Sequence, residues 1–431
     1  MADTESKNFI FFIKSNPLVL LLLFVIVFGA GILTSYSFSA VSNPRIFEQE
    51  IIAQNILNNK GFVYLYHGID HFSFTGAPAV YLFYFIHKLF GVSIVPIIFF
   101  QYTCSFLLGL ILIFYIGKYL TDSTFVAVIV GIAAVMNPVL VYYHSVNIHN
   151  LPVQAVMAIF FLCFIYDLFK NYEDMSWKKI SLYGFFMGFA ALERPTLLLF
   201  LCMSIACLLF VNRCRLKRVI QVVVIILTCA FLSVSIWFIR NHMVYEGKHT
   251  FHLQSNTWFF FYRGNNMSSL GTEYHNLNRE TYQNTLTEEE RKRISSGDEF
   301  FANEQYKKLS LRDIKKDPFR ILRLYFNKMF YFFWFSPTSG IEYPAGFLKM
   351  AKIYYSIFYS LFIYGVYYYI KNKKDNLFLF LSFGFIICLA MAQSFFYVQL
   401  RHRIPVEPVM YVFAFLPIGE RLAGYFNSRR S

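Results

Sequence analysis

PLVLLLLFVIVFGAGILTSYSFSA, residues 17–40, is the stretch that decides the fold class of this chain. It carries no charged side chain and exceeds the roughly 20 residues that a helix needs to cross a hydrocarbon core. It is also too long for the apolar region of an ordinary secretory signal. The Ser-Phe-Ser-Ala that ends it is only a faint cleavage-like pattern, so it reads as a retained signal anchor. Runs of similar character recur near 92–116, 125–143, 151–169, 180–192, 196–211, 219–239, 353–370, 377–396 and 404–418. The whole chain of 431 residues is 57% hydrophobic and 15% charged, against about 25% charged in soluble domains. An all-α polytopic membrane protein follows, with about ten crossings.

The net charge of +14 raises the question of nucleic acid. The cations argue otherwise, because they gather in short segments between apolar runs, as cytoplasmic loops do. With Lys7 and Lys14 inside, the next inside segments carry Lys118, Lys170 to Lys179, Arg213 to Arg218, Lys371 to Lys374, and Arg421, Arg429 and Arg430. Both termini are then cytoplasmic. The seven cysteines (Cys104, Cys163, Cys202, Cys207, Cys214, Cys229 and Cys388) lie in or beside apolar runs. They have no metal-like spacing and no disulfide framework, and they read as small buried hydrophobes.

Two polar segments face the opposite side, 41–91 and 241–352, which divides the chain into 1–240, 241–352 and 353–431. Within the second, Thr287 followed by Glu288, Glu289 and Glu290 predicts a capped helix start. Residues 318–335 are apolar enough to tempt an eleventh crossing. Arg320, Arg323, Asn327 and Lys328 share one side of a helical wheel, however, and favour a helix lying in the interface.

Polar side chains collect at the outer ends of the runs: Glu48 and Glu50, then His144, Asn147 and Asn150, then Glu193 and Arg194. Arg240 and Asn241 follow the seventh run, and Arg401, His402, Arg403 and Glu407 surround the start of the tenth. A carboxylate just outside the membrane can serve as a general base, or simply stabilise a helix N-terminus; Glu48 and Glu50 are both open to either role. Glu193-Arg194-Pro195 splits an apolar stretch into two short halves, so its charges sit below the membrane surface. They either pair with each other at a turn or face a polar cavity. Arg401, Arg403, Arg240 and Arg263 are candidate anion binders, since a guanidinium donates two parallel hydrogen bonds to a phosphate. Snorkelling towards water is the alternative for each.

At these residues the sequence resembles bacterial GT-C glycosyltransferases of the dolichyl-phosphate-mannose–protein mannosyltransferase-like group. The aminoarabinose transferases acting on lipid A and the protein O-mannosyltransferases are relatives of that group. The matching stretches are FEQEIIAQNILNNKGF (47–62), TGAPAVYLFYFIHKLFG (75–91), ALERPTLLLF (191–200), WFIRNHMVYEGKHTF (237–251) leading to YRGNN (262–266), DPFRILRLYFNKMFYFFW (317–334) and LRHRIPVEPVMYVFAF (400–415). They follow the family's order and span nearly the whole chain.

The resemblance implies a GT-C fold with an extracytoplasmic active site in a bacterial inner membrane. It also implies a polyprenyl-phosphate sugar donor, an extracytoplasmic acceptor and an inverting transfer. The family's acidic residue falls on Glu48, with Glu50 as alternative, because Phe47-Glu48-Gln49-Glu50 stands where many relatives have an Asp-Glu pair. The family's tyrosine-proline after the loop is absent, with Leu82-Phe83 near that place.

On this reading Arg194, Arg240 and Arg403, followed by Arg401 and Arg263, hold the lipid phosphate. His144, Asn147 and Asn265 contact sugar or acceptor. No cofactor is expected; a metal-independent reaction is the default, with a divalent cation left open, and oligomeric state is undetermined. A transporter or flippase of polyprenyl-linked glycans is the alternative, although no repeated halves are evident.

Overall fold

The computed structural model describes residue 12 and residues 14–428, apart from 122, 277 and 373. Lys7, Arg429 and Arg430, which entered the charge pattern, lie outside the described residues, as do the side chains of Lys118 and Cys214. A chain in hydrocarbon must satisfy its own backbone, and every apolar run forms helix. Five helices are long and apolar enough to cross a membrane: α1 (Pro17–Ser37), α4 (Ile94–Tyr119), α7 (Leu151–Asn171), α10 (Leu216–Val244) and α17 (Asn376–Ser394). A bent pair, α5 (Thr124–Val135) and α6 (Pro138–Val146), makes up to six. The remaining runs form α8 (Trp177–Glu193), α9 (Leu197–Val211), α16 (Ala345–Lys371) and α18 (Glu407–Ser428), which are shorter or less uniformly apolar. The protein is an all-α polytopic membrane protein.

The third run, expected as one crossing, is broken. α5 and α6 meet at 56°. Pro138 has no N–H and its ring excludes a straight helix through it, while the Asn137 side chain accepts from the N–H groups of Val139 and Leu140 and starts a new helix. Elsewhere the helices approach closely. A Cβ on Gly188 of α8 would lie 2.4 Å from the Ala230 carbonyl oxygen of α10, so only glycine permits this crossing. The cysteines are mostly buried, but Cys202 is exposed on the outer face of α9 and Cys207 is half-buried. A thiol is apolar enough for a lipid-facing position, which corrects the expectation that all are interior.

The two polar segments are folded and pack on each other. The first contains β1 (Arg45–Ile46), α2 (Glu48–Leu57), the β2–β3 hairpin (Tyr64–Tyr66 and Ile69–His71) and α3 (Ala77–Phe90). Strand β1 pairs in parallel with β4 (Asn147–Ile148), tying this segment to the α6–α7 junction. The second segment carries α11 (Thr257–Asn265), α12 (Glu288–Ile294), α13 (Glu299–Lys316), α14 (Pro318–Phe333) and α15 (Ser339–Glu342). Thr287 caps α12, and Glu290 reaches back to its N–H, as the sequence pattern predicts.

A separate aromatic core of Ile69, Phe74, Phe259, Tyr262, Tyr282 and Tyr306 joins the hairpin to α11 and α13. Glu299 at the start of α13 accepts from the Phe72 N–H, Ser255 and Tyr245, which fastens the same junction.

Helix α14 is amphipathic, but part of its polar side, Arg320 and Lys328, faces inward. Lys328 is fully buried, donating to Asn265 Oδ1 (2.7 Å) and the Phe396 carbonyl (2.8 Å). Arg320 donates to the carbonyls of Asn266 and Ser269. Phe319, Leu322, Phe326 and Phe330 are exposed. Irregular backbone at 265–271 offers carbonyls that only donors can satisfy, so Arg320 and Lys328 turn towards the protein, while Arg323 and Asn327 stay exposed beside the apolar stripe.

Candidate active site

A cavity of about 490 Å³ opens where the ends of several helices meet beneath the two polar segments. Its wall is built from the first turn of α2, the α6–α7 junction, the α8–α9 turn, residues 251–257 and the 3-10 turn Leu400–Arg403. One part is polar: Glu48, Gln49, His149, Asn150, Gln154, Arg194, Arg401 and His402. Another is apolar: Phe74, Leu151, Phe251, Leu253, Phe260 and Phe396.

Glu48 and Glu50 part company here. Glu48 opens α2 and borders the cavity, where it accepts from Gln49 Nε2 (3.1 Å). One helical turn is 3.6 residues, so Glu50 points to the opposite side. It is fully buried against His87 Nε2 (2.6 Å) and Gln54 Nε2 (2.9 Å). The same Gln49 amide donates to Thr75 (2.9 Å), which holds the first turn of α2 to the loop before α3 in the wall.

Glu193 and Arg194 do not pair with each other. The Glu193 carboxylate accepts from the Ala79 N–H (2.9 Å) and Asn150 (2.5 Å), anchoring the start of α3. Arg194 is held by Thr196 Oγ1 (3.1 Å), Gln154 Oε1 (2.8 Å) and the His402 carbonyl (3.0 Å), none of them charged. Burial pulls its guanidinium down to about 10, partly offset by Glu193; it stays protonated at neutral pH.

Arg401 lies over the Phe47 ring at 5.1 Å and donates to His149 Nε2 at 3.2 Å. A guanidinium can only donate, so that nitrogen is an acceptor and the imidazole is neutral. Burial, joined by Arg401, holds His149 well below the ordinary imidazole range, and burial with Arg401 and Arg194 does the same to His402. The histidines are therefore neutral lining, and the positive charge belongs to the arginines. Among the described residues no carboxylate lies within ion-pair distance of Arg194 or Arg401. The buried side-chain oxygen of Gln49 also lacks a partner among them.

The other predicted site residues lie elsewhere. Arg403 is fully buried, paired with Glu407 (2.5 Å), stacked on Tyr355 (3.9 Å) and bonded to the Phe333 carbonyl. Residues of a 3-10 turn repeat every three, so Arg401 and Arg403 cannot share a face. Arg240 stacks on Trp237 (4.6 Å) and donates to Asn241 (2.9 Å), outside the cavity wall. Arg263 pairs with Glu273 and covers Tyr397 (4.5 Å).

His144 bonds Ser105 (2.6 Å) and packs on Tyr102, buried between α4 and α6. Asn147 belongs to β4 and its carbonyl accepts from Gln101. The Asn265 amide donates to the carbonyls of Phe261 and Phe395 while its oxygen accepts from Lys328, so it is fully occupied within the fold. Gln154, His149, Thr196 and Tyr397 line the cavity without having been singled out; uncharged side chains inside or beside apolar runs carry no sequence signal of their own. Among the described residues, no three His, Cys, Asp or Glu side chains are grouped so as to hold a metal ion.

The cavity thus brings together one acid, Glu48, and two anchored arginines, Arg194 and Arg401, beside an apolar wall. Residues 77–237 match the model of the family described as dolichyl-phosphate-mannose-protein mannosyltransferase, and the match supports the GT-C glycosyltransferase resemblance read from the sequence. It runs from the start of α3 into α10, including the Glu193-Arg194 turn. No curated protein and no solved structure matches the chain.

Proposed function

We propose that the protein is a GT-C glycosyltransferase that moves a sugar from a polyprenyl-phosphate carrier to an extracytoplasmic acceptor hydroxyl, with inversion. The observation that carries this reading is the cavity bordered by the Glu48 carboxylate, in which Arg194 and Arg401 have no carboxylate within ion-pair distance among the described residues. In the reaction Glu48 takes the acceptor's proton as its oxygen bonds to the anomeric carbon. The bond from that carbon to the phosphate oxygen breaks, and polyprenyl phosphate leaves with its electron pair. Arg401 and Arg194 stabilise that departing charge; their hydrogen bonds to His149, Gln154, Thr196 and the His402 carbonyl orient them in advance.

A phosphate is already a good leaving group, so the chemistry needs no separate acid. The Gln49 side-chain oxygen, without a partner among the described residues, accepts sugar or acceptor hydroxyls, and the Phe74–Phe260–Phe396 side receives the first isoprene units. The family match over 77–237 is consistent with such a donor. The membrane is the bacterial cytoplasmic membrane, with the cavity on its outer side.

The test uses the full chain in proteoliposomes with a panel of polyprenyl-phosphate sugars, measuring sugar transfer to added acceptors. Transfer from at least one carrier is expected. Movement of a lipid-linked glycan between leaflets without any transfer would replace this reading with a flippase.

A further inference from the structure

A second pocket, of about 330 Å³, lies between residues 267–270 and α14 and shares no lining residue with the cavity above. Ser268, Ser269, Arg320, Arg323, Asn327 and Tyr331 line it. We infer that this pocket binds the phosphate headgroup of an anionic bilayer lipid. Three observations converge on that occupant. The first is position: Phe319, Leu322, Phe326 and Phe330 of the same helix are exposed as an apolar stripe, so α14 lies at the depth where headgroups are found.

The second is charge. Arg320 and Arg323 stand one helical turn apart and are close enough to repel each other's charge, and Lys315 and Lys316 are exposed just ahead of the helix. Arg323 and Asn327 are exposed and line the pocket, while the guanidinium of Arg320 is fixed by the carbonyls of Asn266 and Ser269. Asp313 and Asp317 lie near Arg320 and offset part of its charge, while Arg320 and Arg323 are the charged groups that line the pocket itself. The third is donor chemistry: two guanidinium groups, an amide and hydroxyls form the mixed set that satisfies phosphate oxygens. The seat is firm, because Lys328, a turn further along α14, is pinned to Asn265 and to Phe396.

The inference does not depend on the reaction proposed above, and its test reads no activity. Native mass spectrometry of the full-length protein in detergent would follow retention of phosphatidylglycerol and phosphatidylcholine by wild type, by the R323A/N327A double variant and by R323K. Wild type should retain phosphatidylglycerol over phosphatidylcholine. Loss of one interfacial cation should weaken retention about fivefold, with R323K nearer wild type. Unchanged melting in lipid-free detergent would certify that the variants fold, since both side chains are exposed. Equal retention of phosphatidylglycerol by wild type and double variant would overturn the assignment. So would its displacement by millimolar inorganic phosphate, which would point to a free anion.

Discussion

Glu48 and Glu50 stand two residues apart on one helix, and Arg401 and Arg403 two residues apart on one turn. In each pair one member faces the cavity and the other is sealed. Glu50 is closed off by His87 and Gln54, and Arg403 by Glu407, Tyr355 and the Phe333 carbonyl. Among the described residues Glu48 and Arg401 hydrogen-bond to the uncharged Gln49 and His149 and form no close ion pair, although Glu48 and Glu273 act on Arg401 from further away. The same residue types thus perform two jobs, and what separates them is whether the fold has already supplied a counter-charge. A buried charge with a built-in partner holds helices together; a charge without one, at a cavity, is available to a substrate.

Removing Arg403 should have the largest effect on stability. Arg403→Ala leaves Glu407 buried without its cation, and breaking such a pair typically costs about 3–5 kcal/mol. The expected outcome is a strong fall in thermal stability, with normal specific activity in whatever fraction folds. Specific activity that drops while stability holds would move Arg403 into the site and erase the contrast with Arg401. Arg401→Ala is the mirror image. Loss of a preorganised donor to a developing charge lowers kcat by about 10²–10³, and stability should change little. Single-turnover rates beside melting curves would separate the two variants.

The sequence shows the membrane class at once, because length and apolarity of 17–40 or 219–239 need no partner to be read. It also gathers Glu48, Arg194 and Arg401 at one end of the helices. It does not distinguish Glu48 from Glu50, or Arg401 from Arg403, since that depends on which way a short turn faces and on Glu407 and His87 arriving from elsewhere in the chain. The break at Asn137-Pro138 is written in the sequence as a helix-stopping proline, but an apolar run through it hides the bend. On α14, the wheel puts Arg320, Arg323, Asn327 and Lys328 on one side, but only Arg320 and Lys328 turn inward, and Arg323 and Asn327 are exposed. The wheel cannot reveal that the carbonyls of 265–271 draw those two inward.

A smaller effect is expected from pH. His149 and His402 are held far below the ordinary imidazole value of 6.5 in the folded protein, chiefly by burial and then by the arginines. Below about pH 6.5 the unfolded chain takes up these protons first. Their contribution to stability is therefore complete above that value and erodes as pH falls. The melting temperature should decline between about pH 7 and 5, and His402→Gln should flatten the decline. A steeper decline in that variant would reverse the sign.

The most direct measurement of the central claim compares Glu48→Gln with Glu50→Gln in one set of proteoliposomes, following sugar transfer and thermal stability together. A lost general base costs about 10²–10⁴ in rate. The account predicts that Glu48→Gln loses transfer on that scale while melting like wild type, and that Glu50→Gln melts earlier yet still transfers. Transfer that survives Glu48→Gln, or that vanishes in a well-folded Glu50→Gln, would contradict it.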